Sequence, residues 1–232
     1  MSSTGADVDL AISPPGGASL RLRLPDGAVA EAAGDLPIVD LASLPGATVP
    51  VRIGFRAGGV TLRAVCATAP SNGWAPGVEA LVLGRATQIA RGALGGEVTR
   101  FEIGDTTAMG AGAGADAGAR FEQRFEASVR RGGAAATARG RHLLGFTGEG
   151  REGIVCTVVC VEAEGGHACD GLVDGATPAG RWTAAPPPSA LVRGILLAAD
   201  RPMTAAGALG AAMLALVALV VARRPRPRAA LR

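Results

Sequence analysis

The chain has 232 residues, 48% apolar and 19% charged, a balance that excludes a disordered polyelectrolyte and supplies the core of about one domain. Its formal charge of +3 is unevenly placed, since five of the 23 cations (Arg223, Arg224, Arg226, Arg228 and Arg232) close the chain and leave 18 cations against 20 acids before them. The body is therefore slightly acidic, which argues against nucleic acid as a partner.

Every cation is arginine, so the phosphate lysine of a P-loop, a kinase lysine and a Schiff-base lysine for pyridoxal phosphate are all excluded. Aromatic residues are only 3%, which leaves Val, Leu, Ile and Ala to build the core, and 35 Gly with 15 Pro predict many turns.

Residues 1–19 read as a loose N-terminus, and residues 20–190 as the globular domain. Leu20, Leu22 and Leu24 alternate with Arg21 and Arg23 ahead of Pro25-Asp26-Gly27, the pattern of a strand closed by a turn. Val51–Phe55 and Val60–Cys66 flank Arg56-Ala57-Gly58-Gly59 and predict a hairpin. Pro76 suits the first turn of a helix over Gly77–Leu94, with Val78, Leu81, Val82, Ala86, Ile89 and Ala93 on its buried face.

Three or four more strands are expected: Glu97–Ile103, Arg120–Arg130, about Thr137–Phe146, and Ile154–Ala163. In the second, Phe121, Phe125, Ala127 and Val129 alternate with Glu122, Arg124, Glu126 and Ser128, giving one dry face and one ladder of opposite charges. The last is β-branched and almost wholly apolar, as a central strand buried on both faces would be. Gly110–Gly118 follows no strand-to-helix pattern suited to phosphate and reads as a loop. The expected fold class is α+β, a mainly antiparallel sheet covered by one long helix. This order of elements resembles a PsbP-like arrangement; the resemblance is of order alone and implies no residue role or activity.

No catalytic or cofactor motif stands out. The weak metal candidates are Cys156, Cys160, His167 and Cys169. Four strand steps of about 3.3 Å put Cys156 and Cys160 about 13 Å apart, too far to share a zinc ion or a direct disulfide. Cross-strand disulfides, Cys66 with Cys156 or Cys160 with Cys169, can form only in an oxidising compartment, and buried free thiols are the preferred reading. Arg130, Arg131, Arg139, Arg141 and His142 form a basic patch, read as a solvated hairpin face. Trp74 and Trp182 are expected to cap the core.

Residues 191–203 read as a juxtamembrane linker, and Thr204–Ala222, nineteen residues without a charge, as a single transmembrane helix about 28 Å long. Leu209, Met213, Leu214, Leu216, Val217, Leu219, Val220 and Val221 would face lipid, flanked by Arg201, Arg223, Arg224, Arg226 and Arg228, and residues 223–232 form a basic tail. The lipid bilayer is thus the expected partner, with another membrane protein able to approach the small residues Ala206, Gly207, Gly210 and Ala211. A signal-like leader is not evident at the N-terminus, which favours a cytoplasmic domain on a single-pass anchor in the cell membrane, although the arginine tail favours the opposite orientation. The leading functional expectation is a membrane-anchored, non-enzymatic interaction or accessory domain. The alternatives are a thiol- or metal-dependent enzyme using the Cys/His cluster and a domain binding a small apolar ligand.

Overall fold

The structure, a computed structural model, describes residues 6–13, 17–31, 46–71, 74, 77–94, 96–109, 120–183, 185–186 and 190. The chain divides into two units, Met1–Pro187 and Pro188–Arg232, and Ala190 alone is described in the second. In chain order the first unit contains β1 (Ala6–Ala11), β2 (Ala18–Leu24), β3 (Val29–Glu31), β4 (Thr48–Ala57), β5 (Val60–Pro70), α1 (Val78–Ala93), β6 (Glu97–Ile103), β7 (Thr107–Met109), β8 (Arg120–Arg131), β9 (Ala134–Thr147), β10 (Glu152–Ala163), α2 (Ala168–Asp174) and β11 (Thr177–Gly180).

An eight-stranded antiparallel sheet runs β3-β4-β5-β10-β9-β8-β6, with β7 pairing on β8. Two of its hairpins close on glycine pairs in the left-handed region, Gly58 and Gly59 (φ 53° and 84°) and Gly132 and Gly133 (φ 54° and 86°). A two-residue turn with both φ positive matches the right-handed twist of the flanking strands, which fixes the β4–β5 and β8–β9 registers.

The front face of this sheet is covered by a second, three-stranded antiparallel sheet, β1-β2-β11, and by α2. Leu20 and Leu22 of β2 pack there with Leu62, Ile154 and Val158, all almost fully buried. On the back face Ala90 and Leu94 pack with Phe125, Val129 and Val159, while Leu83 and Ala86 pack with Leu144 and Phe146. Strand β10 therefore has core on both sides, with Ile154, Cys156, Val158 and Cys160 facing front and Val155, Val159 and Val161 facing back.

The α+β expectation is corrected. Among the described residues 61% are strand and 16% helical, so the fold is a mostly antiparallel β structure with two short helices rather than a sheet covered by one long helix. The sequence reading lost the front layer because β1 lies inside the stretch taken as loose and β11 is four residues long; β3 and β7 of the large sheet, three residues each, are likewise too short to show a countable alternation. Helix α1 forms within a residue of the expected bounds, yet its buried stripe is Leu83, Ala86, Thr87, Ala90 and Leu94, while Leu81 is 74% exposed. Thr87 enters that stripe because its hydroxyl has a buried partner, a compensation that apolar periodicity cannot reveal.

The transmembrane expectation finds no support among the described residues, where no helix is long and apolar enough to cross a membrane. Sixteen residues give α1 a length of about 24 Å, and it carries Glu79, Arg85 and Arg91. The predicted linker 191–203, the segment 204–222 with Leu209, Met213, Leu214, Leu216, Val217, Leu219, Val220 and Val221, the flanking Arg201, Arg223, Arg224, Arg226 and Arg228, and the loop 110–118 lie outside the described residues.

Candidate functional site

All four cysteines are bonded. Cys66 of β5 lies directly opposite Cys156 of β10 and forms a disulfide with it, and Cys160 of β10 is joined to Cys169 in the first turn of α2. The preference for free thiols is thereby overturned. The register supplies the reason: side chains facing each other across an antiparallel pair are close enough to bond, whereas sequence gives no registry between residues 90 apart. His167 stands at the N-terminal end of α2 with an exposed side chain, 3.8 Å from Asp170. Among the described residues no group of three or more His, Cys, Asp or Glu side chains could hold a metal. Cys156, Cys160, His167 and Cys169 thus divide between two disulfides and solvent.

The expected basic patch also dissolves. Arg141 is 6% exposed on the front face, where its Nε donates to Glu122 at 2.8 Å and its Nη1 to the carbonyl of Ala176 at 3.0 Å. Arg139 pairs with Glu162 at 3.2 Å, Asp170 at 3.0 Å and Glu126 at 3.6 Å. These arginines serve the junction between the sheet and α2. A groove of about 410 Å³ beside them is lined by Arg124, Arg139, Glu126, Asp170 and Asp174, of which Arg124 pairs with Asp174 at 2.8 Å.

His142 lies on the opposite, back face and is fully buried. Gln123, His142 and Thr157 stand side by side on β8, β9 and β10 and make a polar row under α1. The Thr87 hydroxyl donates to Gln123 at 2.7 Å, and Nδ1 of His142 lies 2.9 Å from the Thr157 hydroxyl. The His142 ring stacks on Phe125 at 5.0 Å, and burial pushes its pKa from 6.5 down to about 3. Its Nε2 has no hydrogen-bond partner among the described residues.

The back face opens toward the N-terminal end of α1 into an apolar pocket of about 330 Å³. Ala67 and Ala69 of β5 with Gly153 and Val155 of β10 form the floor, Leu144 and Phe146 of β9 one wall, and Val78 and Val82 of α1 the roof. Trp74 closes an end: its ring meets Phe146 edge-on, centroids 4.7 Å apart and planes at 76°, and lies 6.1 Å from Phe121. The loop carrying it is tied to the β9–β10 turn, because the Ser71 N–H donates to the Arg151 carbonyl at 3.0 Å and the Ser71 hydroxyl donates to the Gly150 carbonyl. Small residues on the floor and bulky ones on the walls leave the hollow, and among the described residues no charged side chain lines it. Trp74 does cap the core as expected, and it also makes a pocket wall. Sequence reasoning missed this site because its lining comes from three separated stretches, 67–82, 144–146 and 153–155.

No protein-family profile and no curated protein matches this chain. One solved structure, described as the crystal structure of LpqN involved in cell envelope biogenesis of Mycobacterium tuberculosis, is similar at 14% identity and a TM-score of 0.39, covering 74% of this chain and 86% of that chain. At that level the likeness carries no argument about fold or function.

Proposed function

We propose that this chain is a non-enzymatic accessory domain that binds a small apolar ligand in the pocket between α1 and the sheet, and that it works in an oxidising compartment. The observation that carries the reading is the composition of the pocket: Ala67, Ala69, Trp74, Val78, Val82, Leu144, Phe146 and Val155 line about 330 Å³ with no charged side chain among the described residues. Such a concavity rewards transfer of apolar surface out of water, at about 25 cal/mol per Å² buried. The two disulfides favour an extracytoplasmic location over the cytoplasm, where thiols are kept reduced. With every sulfur bonded, a thiolate nucleophile or ligand is not available in this state, which disfavours the thiol- or metal-enzyme alternative.

The test is a titration of the full-length protein with N-phenyl-1-naphthylamine, an uncharged dye that brightens in apolar sites. Wild type should give a saturable signal, and Val82→Trp, which fills the pocket from the roof, should abolish it. Dye binding indifferent to Val82→Trp, or absent in wild type, would remove the proposal.

A further inference from the structure

Three glycines of the central strands make a comparison possible. A Cβ built on Gly140 of β9 would fall within the Phe125 ring, which lies over that glycine from the neighbouring strand. A Cβ on Gly145 would overlap the Trp182 ring on the front face. In both places the missing side chain makes a flat seat, and an aromatic ring of this chain sits in it. Glycine inside a strand otherwise weakens the sheet, and it recurs where another group approaches the backbone closely.

Gly153 of β10 is the third, and its seat holds no ring. The nearest atoms to a Cβ there are the Ala69 carbonyl oxygen and Phe146 Cε1, each at 3.8 Å, which is ordinary contact distance. Phe146 lies directly opposite on β9 and is the ring placed to cover Gly153, as Phe125 covers Gly140. It leans instead edge-on against Trp74. The space above Gly153 is the floor of the apolar pocket, with Ala69 on its other side lowering that floor further.

We propose that Gly153 is the seat for a flat, uncharged ring supplied by the ligand, so that the occupant is a planar aromatic or quinonoid molecule rather than a flexible alkyl chain. This deepens the functional reading and rests on it. The ring lies flat on the Gly153 backbone and presents an edge to Phe146 and Trp74, the arrangement in which ring quadrupoles attract. Gly153 is then a specificity-determining residue: a methyl there fits the fold but lifts the ring off its seat.

Isothermal titration of the full-length protein with 2-naphthol and with decan-1-ol, two probes of equal carbon number, tests this. The expected result is that 2-naphthol binds at least tenfold more tightly. In Gly153→Ala, 2-naphthol should weaken tenfold or more and decan-1-ol less than threefold, with circular dichroism matching wild type. Ala69→Val, narrowing the seat from β5, should discriminate in the same direction and serves if Gly153→Ala folds poorly. Equal or tighter binding of decan-1-ol, or 2-naphthol affinity unmoved by both variants, overturns the ring seat while leaving the pocket as a ligand site. Binding of neither probe removes the pocket and the seat together.

Discussion

The carboxylate of Glu162, near the end of β10, accepts the backbone N–H of Ala168 at 2.9 Å, so the first turn of α2 is held by the strand that precedes it. The same oxygen lies 3.4 Å from the N–H of Cys169, and Arg139 meets the other oxygen at 3.2 Å. One nearly buried acid thus satisfies two orphan donors of a helix end and one guanidinium. Glu162→Gln keeps the shape and removes the charge, and should lower stability by about 1–2 kcal/mol. Chemical denaturation measures the loss, and dye binding in the back-face pocket should be unchanged. An unaltered denaturation midpoint would mean that Glu162 contributes only space filling.

Acid should weaken the fold through His142. Its folded pKa is depressed to about 3, so the ring is neutral in the native state, while the unfolded chain takes up a proton near 6.5. Below about pH 6.5 the unfolded state therefore binds more protons, and stability falls as pH drops toward 3 by up to about 1.4 kcal/mol per unit. Carboxylates add their own dependence, so the decisive quantity is the difference between wild type and His142→Phe across pH 7.5 to 4.5. Phenylalanine can keep the stack on Phe125, and the variant should show the shallower acid slope; parallel curves would contradict it.

The two disulfides should differ in worth. Cys66–Cys156 closes a separation of 90 residues and Cys160–Cys169 one of 9. On the chain-entropy account the long closure restrains the unfolded chain more, at about 4–5 kcal/mol against about 2–3. Paired alanine substitutions compared by urea unfolding should rank in that order. Because all four cysteines are disulfide-bonded, the thiol reagent count on protein taken from its native compartment should be zero, before and after denaturation without reductant.

Gly145→Ala and Gly153→Ala should have opposite consequences although the glycines sit on adjacent strands. The first drives a methyl into Trp182, a buried ring whose indole N–H donates to the Ser19 and Ala179 carbonyls. Overpacking of that kind costs about 1–3 kcal/mol. The second makes only ordinary contacts and should hold or slightly raise the melting temperature. A Gly145→Ala protein as stable as wild type would show that Trp182 can move aside freely.

Where periodicity was strong, the sequence was readable. β8 keeps the predicted dry face of Phe125, Ala127 and Val129 and the charged face of Glu122, Arg124 and Glu126, because alternation survives when one face meets core and the other meets paired charges. β10 is buried on both faces as its composition implied. The second sheet was not legible although Asp7 and Asp9 alternate with Val8 and Leu10 along β1, because the pairing that makes this short edge segment a strand, Asp9 with Arg21 at 2.7 Å included, is not announced by sequence. The disulfide pairing needed the β5–β10 register. The pocket needed more still, because it is a hollow defined by small side chains, and small side chains carry almost no signal of their own.

Strand β10 works as a partition wall with fittings on both sides. Cys156 bolts it to β5 in front, Val155 lines the cavity behind, and Gly153 sits three positions from the disulfide. Neither room can be remodelled through this strand alone: a swap that enlarges the ligand chamber tugs on the bolted layer one residue away. Anyone reshaping the recognition of this protein would do better to work from the α1 side, where Val78 and Val82 hang over the cavity from an element that carries no cross-link.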